Sequence, residues 1–293
     1  MSQTKAQLLN PLSGVVSSGD IKANSISIGK GANSVTGNTV LGETALDAVT
    51  DGHDNVAIGI NSLTNNTSGE KNVAVGSQTS VLNTTGNDNT AVGQAALYNN
   101  TSGSTNTALG RAALNVNTTG GSNVAVGYQA LDANTTGNNS VAVGTYSLSA
   151  ASTGSGNVAV GTYSLNALTT ASDNVAVGNS CLQLNTTGTS NVAVGHAALY
   201  ANTTANHNTG VGKNALGSNT TGTQNTAIGS LALDANTTAS NNTAIGHTAL
   251  SANTTGGFNT AVGKDALKLN TSGEYNSGFG IYSLQSNTTG NFN

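Results

Sequence analysis

The chain is expected to be all-β: a parallel β-solenoid, or β-roll, of about fifteen 17-residue coils, assembled as a parallel homotrimer. Three observations predict this. First, Gly42, Gly59, Gly76, Gly93, Gly110, Gly127, Gly144, Gly161, Gly178, Gly195, Gly212, Gly229, Gly246, Gly263 and Gly280 recur every 17 residues without a slip. Second, each glycine follows a short apolar segment such as Asn157-Val158-Ala159-Val160, rich in β-branched residues and poor in helix formers. Third, each unit closes on turn chemistry, for instance Asn134-Thr135-Thr136-Gly137. A unit this short buries no core of its own and must stack on its neighbours.

Within the strand, side chains alternate between faces, so Val158 and Val160 share one face and Ala159 takes the other. The residue before the glycine is apolar throughout, from Leu41 to Phe279, and four residues after it Leu stands in every copy but that of Ser80. These two rows are expected to form continuous apolar ladders inside the coil. At Ser80 a local shift is expected to bring Val81 or Leu82 inward. Asn opens every strand except the one beginning at Ser140, and stacked Asn side chains are expected to hydrogen-bond along the axis. Both the motif glycine and the second one, ten residues on (Gly120, Gly137, Gly188), suit corners of positive φ, although Ala171, Ala205 and Ala239 occupy the second site. At about 4.8 Å per strand, the array makes a rod of roughly 70 Å.

The row opposite the valines holds Ala in most copies, otherwise Val40, Gly210 or Gly278, and never a charged or hydroxyl side chain. Such a face is expected to be covered. Its candidate cover is an identical chain, which makes Ala125, Ala159 and Ala193 the candidate trimer face. The other arrangement is a single-chain solenoid with the Ala row facing inward across a thin coil.

Composition narrows the function further. Charged residues are 7%, aromatics 3%, and the formal net charge is -4, so no basic stripe offers itself to nucleic acid. One cysteine excludes an internal disulfide framework, and no apolar run approaches the roughly 20 residues of a membrane span. Residues 1–23 lack a signal-peptide core and are expected to be an N-terminal attachment or capping segment ahead of a repeat shaft at 24–293. The chain is therefore expected to be made in the cytoplasm. Asn293 falls where a further strand would open, so continuation into a tip, cap or chaperone, or end-to-end stacking, is expected there.

No catalytic, cofactor or metal constellation stands out. His196 and His247 are three coils apart, about 14 Å, too far for one metal. His53 and His207 read as surface variation. Cys181 takes the small-residue slot before Leu182 and reads as core. The Asn-x-Ser/Thr sequons read as turns. Tyr128, Tyr146, Tyr163 and Tyr282 fall just after a motif glycine, Tyr98 and Tyr200 five residues after, and all six are expected to point outward.

The strand motif resembles the signature of trimeric autotransporter adhesin heads, with Asn24-Ser25-Ile26-Ser27-Ile28-Gly29 the nearest local match. That family's heads are left-handed parallel β-rolls assembled as trimers. The 17-residue unit, with its Ala-Leu and Asn-Thr-Thr-Gly segments, looks more like repeats of bacteriophage tail fibre proteins. The resemblance covers roughly residues 24–293. It implies a structural, non-enzymatic protein: the trimeric shaft of a phage tail fibre in the virion, made in the host cytoplasm. Its implied partners are its own copies, baseplate or tail proteins, and a host receptor met through a tip outside this chain. A cell-surface adhesin stalk or head is the alternative. An ice-binding solenoid is a third, resting on the Thr pairs Thr118-Thr119, Thr135-Thr136 and Thr186-Thr187.

Overall fold

A computed structural model describes residues 20–23 and 25–293. Most of the 1–23 segment, and Asn24 of the hexapeptide above, lie outside the described residues. The rest is a β-solenoid. Seventeen strands, β1 (Ile21–Ala23), β2 (Ile26–Gly29), β3 (Thr39–Gly42), then β4 (Val56–Ile58) through β17 (Ser277–Phe279), form a single sheet. From β3 to β17 every neighbour is parallel and offset by 17 residues, as in Val141↔Val158↔Val175. The period read from the glycines is therefore the coil itself.

The start of the array departs from expectation. β2 does not form a shorter coil before Gly42. It pairs antiparallel with β3, Ile28 opposite Leu41, and β1 pairs antiparallel with β2. The Asp20 carboxylate accepts from the backbone N–H groups of Lys30 and Gly31, pinning this hairpin to the turn that follows it. The parallel solenoid thus begins at Thr39, not at residue 24.

The two faces of the strand are the reverse of the first expectation. The Ala row points into the coil: Ala125, Ala159 and Ala193 are each 0% exposed within the single chain. They cannot be a trimer face. The Val, Ile and Leu side chains on either side of each Ala point outward and are half-buried or exposed. The physical reason is thickness. Across the coil from the Ala row stands the Leu row, Leu97, Leu114, Leu131 and so on, fully buried as far as Leu267. One Leu layer against one Ala layer fills the space through the body of the array, and a larger side chain, Val40, takes the Ala place only in the first parallel strand, at the end of the stack.

Ser80 keeps the Leu position. It is 3% exposed, Leu82 remains exposed, and no shift brings Val81 or Leu82 inward. The coil stays in register because its backbone bonds persist, Ser80 N–H donating to the Ala96 carbonyl at 3.0 Å. The apolar core is interrupted instead, into one cluster from Val40 to Ala74 and another from Ala91 to Leu267.

Inside the coil the polar filling is asparagine. The strand-opening Asn residues form the expected ladder: Asn72 N–H donates to Asn55 Oδ1 at 2.9 Å, and Asn72 Nδ2 to the Gly86 carbonyl at 2.8 Å. A second Asn ladder lines the turn, Asn100 Nδ2 donating to Asn83 Oδ1 at 2.7 Å and Asn117 Nδ2 to Asn100 Oδ1 at 2.8 Å. Buried amides satisfied in this way stiffen the stack, since each rung holds the next.

The motif glycines have φ well into the positive region, 130° at Gly161, and a Cβ there would lie 2.4 Å from the Gly178 carbonyl oxygen of the next coil. Backbone conformation and close stacking both demand glycine. The second glycine row does not need positive φ; Gly120 and Gly137 are absent from that region. Each coil instead carries three other left-handed positions, such as Tyr163 (φ 57°), Leu165 (φ 49°) and Asp173 (φ 61°). Non-glycine residues there cost about 1 kcal/mol or more apiece. The ladders above and below hold them in place.

Candidate functional site

The fifteen motif glycines form a backbone corner after each strand, so they are architecture and not a binding loop. The candidate surfaces lie elsewhere. One is the outer face of the sheet. Its two rows run the length of the array: Thr or Val at the first strand position, as in Thr90, Val124 and Val158, with Ser277 last, and Val, Ile or Leu at the third, as in Val92, Leu109 and Ile228, with Phe279 last. Neither row contains a charged residue from Thr39 to Phe279. Leu109 is 47% exposed and Ile228 40%, so the stripe is open to solvent in the single chain.

The tyrosines expected to scatter are in part gathered. Tyr146 and Tyr163 stack at 5.4 Å with rings 6° apart, Tyr128 meets Tyr146 edge-on at 5.3 Å, and the Arg111 guanidinium sits 5.5 Å from the Tyr128 ring. Tyr282 lies near the Lys264 ammonium at 5.8 Å, while Tyr98 and Tyr200 are single. The Tyr146 hydroxyl has its pKa raised, chiefly by the hydrogen bond with Tyr128. A second stack was not foreseen: Phe258, Tyr275 and Phe292, 4.9 Å and 5.1 Å apart and within 2° of parallel. The signal was present as an aromatic recurring at 17-residue spacing, twelve residues after a motif glycine.

No family model matches the chain, and no curated protein or solved structure matches it.

The polar clusters serve the stack. His53 bridges Asp54 at 2.9 Å and Glu70 of the next coil at 3.1 Å on the surface. Asp265 accepts from the Thr248 hydroxyl and pairs with Lys268 at 2.9 Å, and these partners, Thr248 foremost, hold its carboxyl below the usual range. Cys181 is buried, its thiol contacts the Gly195 and Val177 carbonyls, and burial pushes its pKa up, the opposite of an activated nucleophile. Among the described residues, no three His, Cys, Asp or Glu side chains come together as a metal would need, and no helix is long and apolar enough to cross a membrane.

The sequon asparagines of the turn row, Asn117, Asn134, Asn185 and their equivalents between Asn66 and Asn270, point inward, are at most 1% exposed and hold the second ladder. Asn65, Asn138 and Asn241, which also open sequons, are exposed. The Thr pairs also divide: Thr118 Oγ1 donates to the Thr135 carbonyl of the next coil at 2.9 Å, whereas Thr119 is exposed. They do not make one flat hydroxyl face.

Beside this regular surface lies a notch, a cavity of about 230 Å³ opening to solvent between Tyr200, Asn214, Gly217, Ser218, Ala197 and Asp234. Burial raises the Asp234 carboxyl pKa, and Asp234 Oδ1 has no hydrogen-bond partner.

Proposed function

We propose that the chain is a structural fibre element, the shaft of a phage tail fibre that self-associates as a parallel homotrimer. A β-solenoid of this kind is compatible with a fibrous, structural or adhesin-like protein. The observation that carries the proposal is the uncharged apolar stripe on the outer sheet face, continuous over all fifteen parallel strands.

Such a stripe invites a partner of the same period, and an identical chain in register has it. The original ground for a trimer, an uncovered Ala row, no longer applies, because that row is interior. The Val/Ile rows take its place. A face about 70 Å long and about 10 Å wide offers roughly 700 Å², near the ~800 Å² per partner of a standard stable interface. Three such faces turned to one axis bury it completely. The fold supports a shaft because each coil touches only its neighbours, so length is added without a new core.

In this reading the partners are identical chains, baseplate or tail proteins, and a host receptor reached by a tip outside this chain. The place of action is the virion, after assembly in the host cytoplasm. Antibodies against the chain should decorate tail fibres of intact virions by electron microscopy. Decoration of cell surfaces in uninfected cultures would replace the proposal with its alternative, an adhesin stalk or head. The ice-binding alternative loses its original support with the divided Thr pairs, and thermal hysteresis of the purified protein is its direct test.

A further inference from the structure

The notch at Gly217 has an unusual origin. Five residues after each motif glycine the chain places a side chain on the outside of the turn: Tyr98, Asn115, Asp132, Gln183, Tyr200, Asp234, Lys268. Gly217 is the one glycine in this row. Its φ is not in the positive region, so the backbone does not require glycine. An added Cβ would meet nothing from a neighbouring coil, only its own turn at Asn214 O, 3.2 Å away. Glycine here serves neither conformation nor packing; what it provides is space.

That space is bounded by chemistry of a definite kind. Tyr200 stands one coil before the gap and Asp234 one coil after, about 10 Å apart along the axis. Asn214 and Ser218 line the same notch, and neither side chain has a hydrogen bond within the chain. Asp132, at the matching position elsewhere, is held by Gln129 Nε2 at 3.1 Å. In the Asp234 coil that donor is replaced by Leu231. The Asn214 amide and the Ser218 hydroxyl are therefore left without partners beside one aromatic ring that is 37% exposed, while the Asp234 carboxyl is engaged by the backbone N–H groups of Asp234 and Ala235.

We infer that the Gly217 notch is a lateral binding site for a single neutral pyranose residue of a glycan. An exposed aromatic ring with an unpaired amide and an unpaired hydroxyl lining the same notch matches a sugar, which has a C–H face and a rim of hydroxyls. The volume, about 230 Å³, is below the ~300 Å³ at which drug-sized sites begin, and suits one ring. The only charge lining the notch is negative, which disfavours sialic acid, sulfate and phosphate. The site stands independently of self-association, because the notch lies on the turn and not on the outer sheet face.

Saturation-transfer NMR on the intact chain tests this with methyl α-D-glucopyranoside, methyl α-D-mannopyranoside and methyl β-D-galactopyranoside. At least one should receive saturation, with a dissociation constant in the millimolar range. Gly217→Gln should abolish the transfer; Gln183 and Gln285 show that the row accepts this side chain. Tyr200→Ala, an exposed substitution that keeps the fold, should weaken binding about tenfold. No transfer to any of the three at about 50 mM overturns the proposal, since that concentration exceeds any useful weak site. So does transfer that survives in Gly217→Gln, or a site that takes methylammonium and no sugar.

Discussion

Asn134 is the last rung of an interior asparagine ladder, and Ala151, which takes the next rung's place, has nothing to donate to it. Asn134 Nδ2 reaches back to Asn117 Oδ1 at 2.7 Å, while its own Oδ1 is buried without a partner. Leu168 follows Ala151 in the same row, and the ladder resumes at Asn185, to which Asn202 donates at 2.9 Å. The ladder has a direction, and its break at Ala151 leaves one buried acceptor unmet.

This polarity predicts unequal costs for the same substitution. Asn117→Ala leaves Asn100 Oδ1 without its donor while Asn134 Oδ1 stays unmet. Asn134→Ala only moves the unmet acceptor back to Asn117. Asn117→Ala should therefore destabilise by about 1–3 kcal/mol more, the cost of one further buried unsatisfied group. Urea unfolding of the two variants measures the difference, and equal midpoints would show that the ladder carries no such penalty.

The Ser80 site makes a second prediction. Ser80 sits where other coils bury Leu and separates the two core clusters. Ser80→Leu should join them and stabilise the protein by about 1–2 kcal/mol, less than full transfer because the site must adjust. A neutral or destabilised variant in thermal unfolding would show that the coil has closed around the serine.

Much of this was legible in the sequence, and the places where it was not are specific. The 17-residue period, the parallel class, the buried Leu row and the strand-opening Asn ladder all follow from spacing and residue type. The orientation of the strand does not. Alternation separates Val158 and Val160 from Ala159 but leaves open which face is inside. Hydrophobicity points to Val, whereas the thinness of a 17-residue coil selects Ala. Left-handed Leu165 was equally hidden, because its conformation is imposed by rungs above and below and not by local propensity. The Phe258–Tyr275–Phe292 stack was visible in principle, had each column been compared down the repeats. Gly217 shows the same thing by absence.

The motif glycines should also differ by position. Gly161→Ala puts a Cβ 2.4 Å from Gly178 O at a φ of 130°, whereas Gly280→Ala meets nothing within 4 Å at a φ of 107°. The first should destabilise by ~3 kcal/mol or more, combining overlap with backbone strain, and the second by ~1 kcal/mol from strain alone. Differential scanning calorimetry of the pair separates the two contributions; matched losses would contradict the close stacking.

A pH dependence follows from Asp265. Thr248 and Lys268 lower its folded pKa, so its contribution is present above the unfolded carboxylate value and is lost as pH falls through the folded one. Asp265→Asn should be less stable than the wild type at neutral pH, and the two should converge in acid. Parallel stability profiles down through the carboxylate range would contradict this.

The mass in solution tests the central claim most directly. Sedimentation equilibrium should give three times the 28.7 kDa of one chain for the wild type. Val126→Lys, Val160→Lys and Val194→Lys, combined on the outer sheet face, should give a folded monomer with unchanged circular dichroism, because those side chains cover the interface and not the core. A wild type that sediments at 28.7 kDa, or a triple variant that remains trimeric, would contradict assembly through this face.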